Sequence, residues 1–470
     1  MRDLVMLAAM SVIVPLALAD GFVAYVLWGW TSFFSPNYYV YGFMNGVRYN
    51  LMFACIALLF LLLGKKRAQE PWSGTQKLFL VFAVHATLCA VFGYAPNKLN
   101  AEVYEVLVKG LVFCLVMPYF VTDRLRLHVL LIALAIGLGF HGVLEGAKFV
   151  GSGGGHKIVG IATSMISDNN HLAVGLLMVI PILYYLYRYS EHRLARYGFL
   201  AACILTTIAV MGTFSRGGFI DLTALGLWFI LSSRNRMRSL VAVALVALVL
   251  YHIAPQTWFD RIDTINNASE DSSFLARVNA WKISVAIALH NPVLGGGFHA
   301  VQALQVWSMF KESIAFLSFI PTPPVEAMGR AAHSIYFEVL GDTGFVGLFL
   351  FLAIWVNGWR TAGAVRKIAE GRSDLRWAGE LAGMLRVSLL VYAISGAAVS
   401  MAYFEMFYIV VATAAVLKRC AQAQAEREVR NAAMPARPPA RELHAGAVAA
   451  LADPSSAGCG FSTSRRRREG

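Results

Sequence analysis

The chain has 470 residues, of which 58% are hydrophobic and only 14% charged, with a formal net charge of +13. About 25% charged residues is usual for a soluble domain, and the length of the apolar runs excludes that class. The excess of Lys and Arg falls in short clusters between those runs, which speaks against a nucleic-acid reader and for a protein set in membrane lipid.

A helix needs roughly 20 mostly apolar residues to cross a bilayer. In lipid every backbone polar group must be paired within the protein, so apolar runs of this length are expected to be helices. A β-barrel would show alternating segments of about 10 residues, and none appear. In chain order the candidate spans are 4–19, 21–34, 47–63, 75–93, 103–121, 127–149, 171–187, 197–214, 217–232, 239–254, 334–356, 384–400 and 402–417. Only Asp20-Gly21 separates the first two, which form either a hairpin or one broken helix, so the count is about twelve. The apolar first 34 residues have no clean cleavage site and are expected to be retained.

Basic clusters follow alternate spans: Lys65-Lys66-Arg67, Arg124/Arg126, Arg188/Arg193/Arg196, Arg234/Arg236/Arg238, Arg360/Arg366/Lys367 and Lys418/Arg419. This pattern puts them in the cytoplasm. The opposite side then receives 35–46, 94–102, 150–170, the link around Ser215-Arg216, and 255–333.

The expected organisation is a first part of the bundle over 1–254, a large loop subdomain over 255–333, a last part of the bundle over 334–417, and a disordered cytoplasmic tail over 418–470. The loop contains an amphipathic stretch from Phe274 to Leu289, and a second helix is expected through 299–319. The tail is rich in Ala, Arg, Pro and Glu without periodicity, and its Arg465–Arg468 run reads as a solvent or headgroup contact. Four of the six cysteines, Cys55, Cys89, Cys114 and Cys203, lie in apolar runs and read as small buried hydrophobes. No metal-binding spacing occurs.

Four polar clusters map to the side opposite the basic one. In Gly212-Thr213-Phe214-Ser215-Arg216-Gly217-Gly218, almost no loop joins two spans, so Arg216 sits at the membrane edge. Its guanidinium is a rigid fork suited to phosphate oxygens; a snorkelling arginine on a tight turn is the plainer reading. Arg277 and Trp281 lie in the large loop, followed by Asn291-Pro292 and Gly295-Gly296-Gly297-Phe298. Arg277 is a second phosphate candidate, whereas the glycines lack the ending of a nucleotide-binding loop and read as a turn after a helix. His333 opens the span after the loop, and its neutral imidazole can accept a proton from a hydroxyl. Glu338 and Asp342 follow, and only one is expected to share its side. Ser167-Asp168-Asn169-Asn170-His171 enters the span at 171, where Asp168 or Asn169 is a natural N-cap and another of the run faces the site.

The TFSRGG run at 213–218, the Arg277/Trp281 spacing with NP and GGGF after it, and HSIYFEVLGDTGFVGL at 333–348 resemble the O-antigen ligase/polymerase superfamily of bacterial inner-membrane proteins. The opening MRDL and the DNNHLA run at 168–173 look closest to the O-antigen ligase (WaaL) family and to related O-glycosylation ligases of exosortase systems. The likeness covers most of 1–417. It implies an all-α, GT-C-like bundle with a large periplasmic loop and a glycosyltransferase that needs no metal or other cofactor. Its donor would be a glycan on undecaprenyl diphosphate and its acceptor a sugar hydroxyl of lipid A–core, at the periplasmic face of the inner membrane. The resemblance carries the diphosphate-binding role to Arg216 and Arg277 and the catalytic role to His333. Asp168, Asn170, His171 and Glu338 stand as candidates for shaping the site or meeting the acceptor, and Lys157 is a weaker one.

Cleaving a sugar–phosphate bond leaves negative charge that cations must hold, and two arginines can do so where no carboxylate pair is placed for a metal. A related transferase acting on protein Ser/Thr or on a growing glycan chain is the first alternative. A transporter or flippase is the second, against which stand the absence of an inverted repeat and of paired broken helices.

Overall fold

The computed structural model describes residues 1–64, 72–162, 164–232, 235–253, 272–312, 316–322 and 329–433. The basic residues Lys65, Lys66, Arg67 and Arg234, together with Cys459 and Arg465–Arg468, lie outside the described residues. Among those described there is no strand, and the chain is an all-α polytopic membrane protein. Nine of its described helices are long and apolar enough to cross a membrane, and two shorter ones are also apolar.

The helices are α1 (Arg2–Ala19), α2 (Gly21–Phe34), α3 (Tyr49–Leu63), α4 (Gly74–Phe92), α5 (Asn97–Phe120), α6 (Arg124–Gly151), α7 (Asn169–Tyr189), α8 (Arg193–Gly212), α9 (Arg216–Ser232), α10 (Arg236–Ile253), α11 (Ser272–His290), α12 (Leu304–Phe310), α13 (Ile335–Ala369), α14 (Arg376–Ser395) and α15 (Glu405–Ala433). All thirteen expected spans are found as helices, with ends set by local chemistry. Asp20, Asp123 and Asp168 cap α2, α6 and α7 by accepting backbone N–H groups, and Ser73 with Gln76 forms a reciprocal capping box on α4.

The first 34 residues form a hairpin. Asp20 is the single extended residue between α1 and α2. Next to it, Gly21 packs against Phe60 and Phe120, at the ends of α3 and α5. At the far end of α1, the Asp3 carboxylate accepts from the Gly42 and Met44 amides at 3.0 and 3.1 Å. The start of α1 therefore sits with the 35–48 link, at the end away from the basic residues.

Helix α7 is the centre of the bundle, buried along almost its whole length. Ser388 of α14 donates to the Met178 carbonyl at 2.8 Å. Helices α6 and α8 approach closely because Gly142 faces Thr206 and Gly146 faces the Leu205 backbone, the small-residue packing usual between membrane helices. Cys89 and Cys114 are buried, but Cys203 is only half-buried and Cys55 is exposed. An apolar run states that a residue is in the bilayer; it does not state which face looks outward to lipid.

Two further expectations change. Among its described residues, the stretch 299–319 holds one 3₁₀ turn (Ala300–Gln302) and the short α12, not one long helix. These pack with α11 and Ala95 around Ile283, Ile287, Val306 and Trp307 as a small core of their own. Helix α15 runs past Leu417 to Ala433, so the first part of the expected tail is helical. By packing, residues 1–422 make one compact unit and 423–470 a second.

The glycine turn after α11 is built into α13. Helix α13 is broken at Gly344, whose φ of 69° and ψ of −171° suit only glycine. The freed carbonyls of Gly341 and Asp342 accept from the Gly296 and Gly297 amides at 2.8 and 2.9 Å, and Gly296 in turn accepts from Ala95 at 2.8 Å. A Cβ on Gly295, at φ 64°, would come within 2.5 Å of the Gly344 nitrogen. Thus GGGF and the LGDTG part of the 333–348 run form one joint.

Candidate active site

The end of the bundle away from the basic residues collects the polar clusters. Asp168 caps α7, accepting from the His171 amide at 2.8 Å. Its second oxygen lies 3.8 Å from His171 Nδ1, and neither ring nitrogen of His171 has a hydrogen-bond partner among the described residues. The next residue, Asn169, donates to the Thr213 carbonyl at 2.8 Å. That bond ties the start of α7 to the turn bearing Arg216. Asn170 is half-buried beside it.

The α8–α9 turn is short because Phe214 takes a left-handed backbone, at φ 53°. A bulky residue there is strained, and such strain collects at functional sites. Ser215 then caps α9 by accepting from Gly218 at 3.1 Å, and Gly218 packs on Ala173 of α7. Arg216 is the first residue of α9 and is exposed at this edge. Ile158 donates to the Gly212 carbonyl at 2.9 Å, so the 152–168 link closes over the same turn. Lys157 is exposed on that link.

Arg277 and Trp281 are four residues apart on α11 and therefore share one face. Trp281 Nε1 donates to the Ala332 carbonyl at 2.7 Å, and its ring stacks on Phe337 at 5.0 Å. On the other side, the His333 amide donates to Ser400 Oγ at 2.8 Å. His333 is held between these two bonds with a left-handed φ of 45°.

Burial pushes the His333 pKa below its ordinary value, the Arg277 charge and then His171 push it further down, and Asp168 opposes them. Four sequence candidates thus share one electrostatic neighbourhood: His333, Arg277, His171 and Asp168. Near neutral pH the His333 imidazole is uncharged and can accept a proton.

Glu338 is not among the groups whose charge acts on His333. It is buried in α13, and its carboxylate accepts from the Ala402 amide at 3.0 Å, fastening the α14–α15 link that carries Ser400. Asp342 also faces inward, accepting from the Ala300 amide at 3.1 Å and the Tyr403 hydroxyl at 3.0 Å.

Residues 201–352 match the family model described as O-Antigen ligase. The match supports the O-antigen ligase/polymerase superfamily and, with it, a membrane glycosyl-transfer activity. Residues 1–191 match a second model, described as a family of unknown function (DUF5935). A search of the curated proteins found no match. The O-antigen ligase segment contains Arg216, Arg277, His333 and Glu338, whereas Asp168, Asn170 and His171 fall in the other segment. Among the described residues no group of three His, Cys, Asp or Glu side chains is arranged to hold a metal ion.

Two features escaped the sequence reading. Ser400 carried no signal, because a serine near a span end is ordinary. Asp221 did: it is an acid inside an apolar run, and such residues are functional candidates by default. It is buried on α9, five residues after Arg216, and accepts from Ser395 Oγ at 2.5 Å.

Proposed function

We propose that the protein is an O-antigen ligase of the bacterial inner membrane. In this reading it transfers a glycan from undecaprenyl diphosphate to a sugar hydroxyl of lipid A–core at the periplasmic face. One observation carries the reading: a half-buried His333, whose pKa burial and the Arg277 charge lower, shares its surroundings with Arg277, His171 and Asp168 at the end of the bundle opposite the basic residues. The O-antigen ligase match over 201–352 supports it.

The chemistry asks for three things. The acceptor hydroxyl oxygen attacks the anomeric carbon, the bond from that carbon to the phosphate oxygen breaks, and the lipid diphosphate leaves with the electron pair. Negative charge grows on the diphosphate, and Arg216 and Arg277 are the groups that hold it. The hydroxyl proton passes to His333. A histidine placed for this step contributes about 10²–10⁴ in rate. Because the donor is a lipid, its diphosphate lies at headgroup depth, and an exposed arginine at a turn between two spans suits that depth. The reaction runs on these side chains without a metal.

The test is transfer by the purified full chain, given undecaprenyl-diphosphate-linked glycan and lipid A–core, with and without a chelator. Glycan-bearing lipopolysaccharide in both arms is the expected result. Transfer only when a divalent metal is added, or flipping of the donor with no covalent product, overturns the reading. Protein Ser/Thr and growing-chain acceptors, offered in parallel, decide between the ligase and the related transferases.

A further inference from the structure

We infer that the protein carries a phospholipid site at its basic end, remote from the proposed transfer chemistry and independent of it. A cavity of about 320 Å³ opens there between α9, α13 and α14, lined by Trp228, Arg366, Ala369, Arg376, Gly379, Glu380, Gly383 and Met384. Arg366 and Arg376 are exposed and make no salt bridge among the described residues. Glu380, the lone acid of the lining, is shared by Arg188, 3.7 Å away, and by the Tyr189 hydroxyl. The lining therefore keeps a surplus of two guanidinium groups, whose planar forks match phosphate oxygens.

The rest of the lining is apolar. Trp228 lies one turn before the end of α9, and indole rings near the ends of membrane helices favour the headgroup layer. Leu227 and Leu231, near the same end of α9, are 53% and 58% exposed, so this end of the helix offers apolar surface to an acyl chain. The glycines of α14 create the room. A Cβ on Gly383 would meet nothing within 4 Å, and one on Gly379 would press on Ala369 at 3.0 Å. A soluble anion would need only the arginines; the apolar wall beside them selects a phospholipid with an anionic headgroup.

The experiment titrates dioleoylphosphatidylglycerol into the full chain in dodecyl maltoside micelles and counts bound lipid by native mass spectrometry. Near the membrane surface each lost basic charge weakens such binding about fivefold, so the Arg366→Ala/Arg376→Ala variant should bind roughly thirtyfold more weakly. Gly383→Leu fills open space without touching a charge and should also lose the lipid while keeping the wild-type melting temperature. Equal binding by the wild type and both variants overturns the site. So does equal binding of dioleoylphosphatidylcholine. Displacement of the lipid by inorganic phosphate overturns the lipid as occupant in favour of a soluble anion.

Discussion

Trp281 of α11 donates its indole N–H to the carbonyl of Ala332 at 2.7 Å, one residue before His333. This bond gives the Arg277/Trp281 spacing a physical meaning. One helical turn carries both the cation that acts on the His333 imidazole and the donor that holds the backbone beside it. Trp281→Phe keeps an aromatic side chain against Phe337 and removes the N–H. The expected outcome is a loss of about 1 kcal/mol in stability with a larger loss in transfer rate. Thermal unfolding and a transfer assay on the same sample check it; equal rates for the two proteins would count against a positioning role.

The pH dependence follows from the charges around His333. Its pKa is lowered by burial, then by Arg277 and His171, and raised by Asp168. A base works in its neutral form, so kcat/KM should be level through neutral pH and fall only below about 6.5. Arg277→Gln removes a like charge and should move this acid limb to higher pH. Asp168→Asn removes an opposite charge, keeps the cap, and should move the limb to lower pH. Stability changes in the same window. As pH falls below about 6.5 the unfolded chain takes up the proton first, so this contribution is complete above that pH and is lost toward the lowered folded value. Limb positions that ignore both substitutions would contradict the assignment.

Glu338 is expected to act through structure. Its carboxylate accepts from the Ala402 amide, and Glu338→Gln retains an oxygen acceptor while Glu338→Ala does not. The glutamine variant should transfer within about threefold of wild type, whereas alanine leaves a buried amide unsatisfied at a cost of about 1–3 kcal/mol. Melting curves with rates measured at a temperature where both variants are folded separate the two effects. A glutamine variant that is stable yet inactive would place Glu338 in the chemistry.

Gly344 should be intolerant of any side chain. At φ 69° and ψ −171° a Cβ would lie 2.6 Å from the Pro292 carbonyl oxygen. Gly344→Ala is expected to cost more than about 3 kcal/mol through strain and overlap together, seen as loss of folded protein in size-exclusion profiles. A monodisperse, active Gly344→Ala protein would mean the joint between α13 and the glycine turn is not needed.

The helices were legible in the sequence because lipid leaves the backbone no other choice, and each expected span from 4–19 to 402–417 coincides with a described helix, nine of them long and apolar enough to cross a membrane. The hairpin at Asp20 was left open there, since it depends on Asp3 reaching Gly42 and Gly21 reaching Phe60 and Phe120. Apolar spacing predicts one helix over 299–319 because it does not record the left-handed His299, which opens the 3₁₀ turn instead. At the site, residue types were readable: an arginine at a turn without a loop, a histidine at a span entrance. Their partners were not. Ser400, Ala332 and Thr213 enter through backbone groups or a short hydroxyl, and these leave no mark in the pattern. Glu338 was readable as a candidate for shaping the site, but its partner, the Ala402 amide, was not.

The most direct test of the account is the transfer rate of purified Arg216→Ala and His333→Ala proteins, with melting temperature and detergent-solubilised yield recorded beside it. Both should match the wild type in folding and yield and transfer glycan at least about 10²-fold more slowly. Wild-type transfer by either folded variant would contradict the claim that these two residues hold the diphosphate and accept the proton.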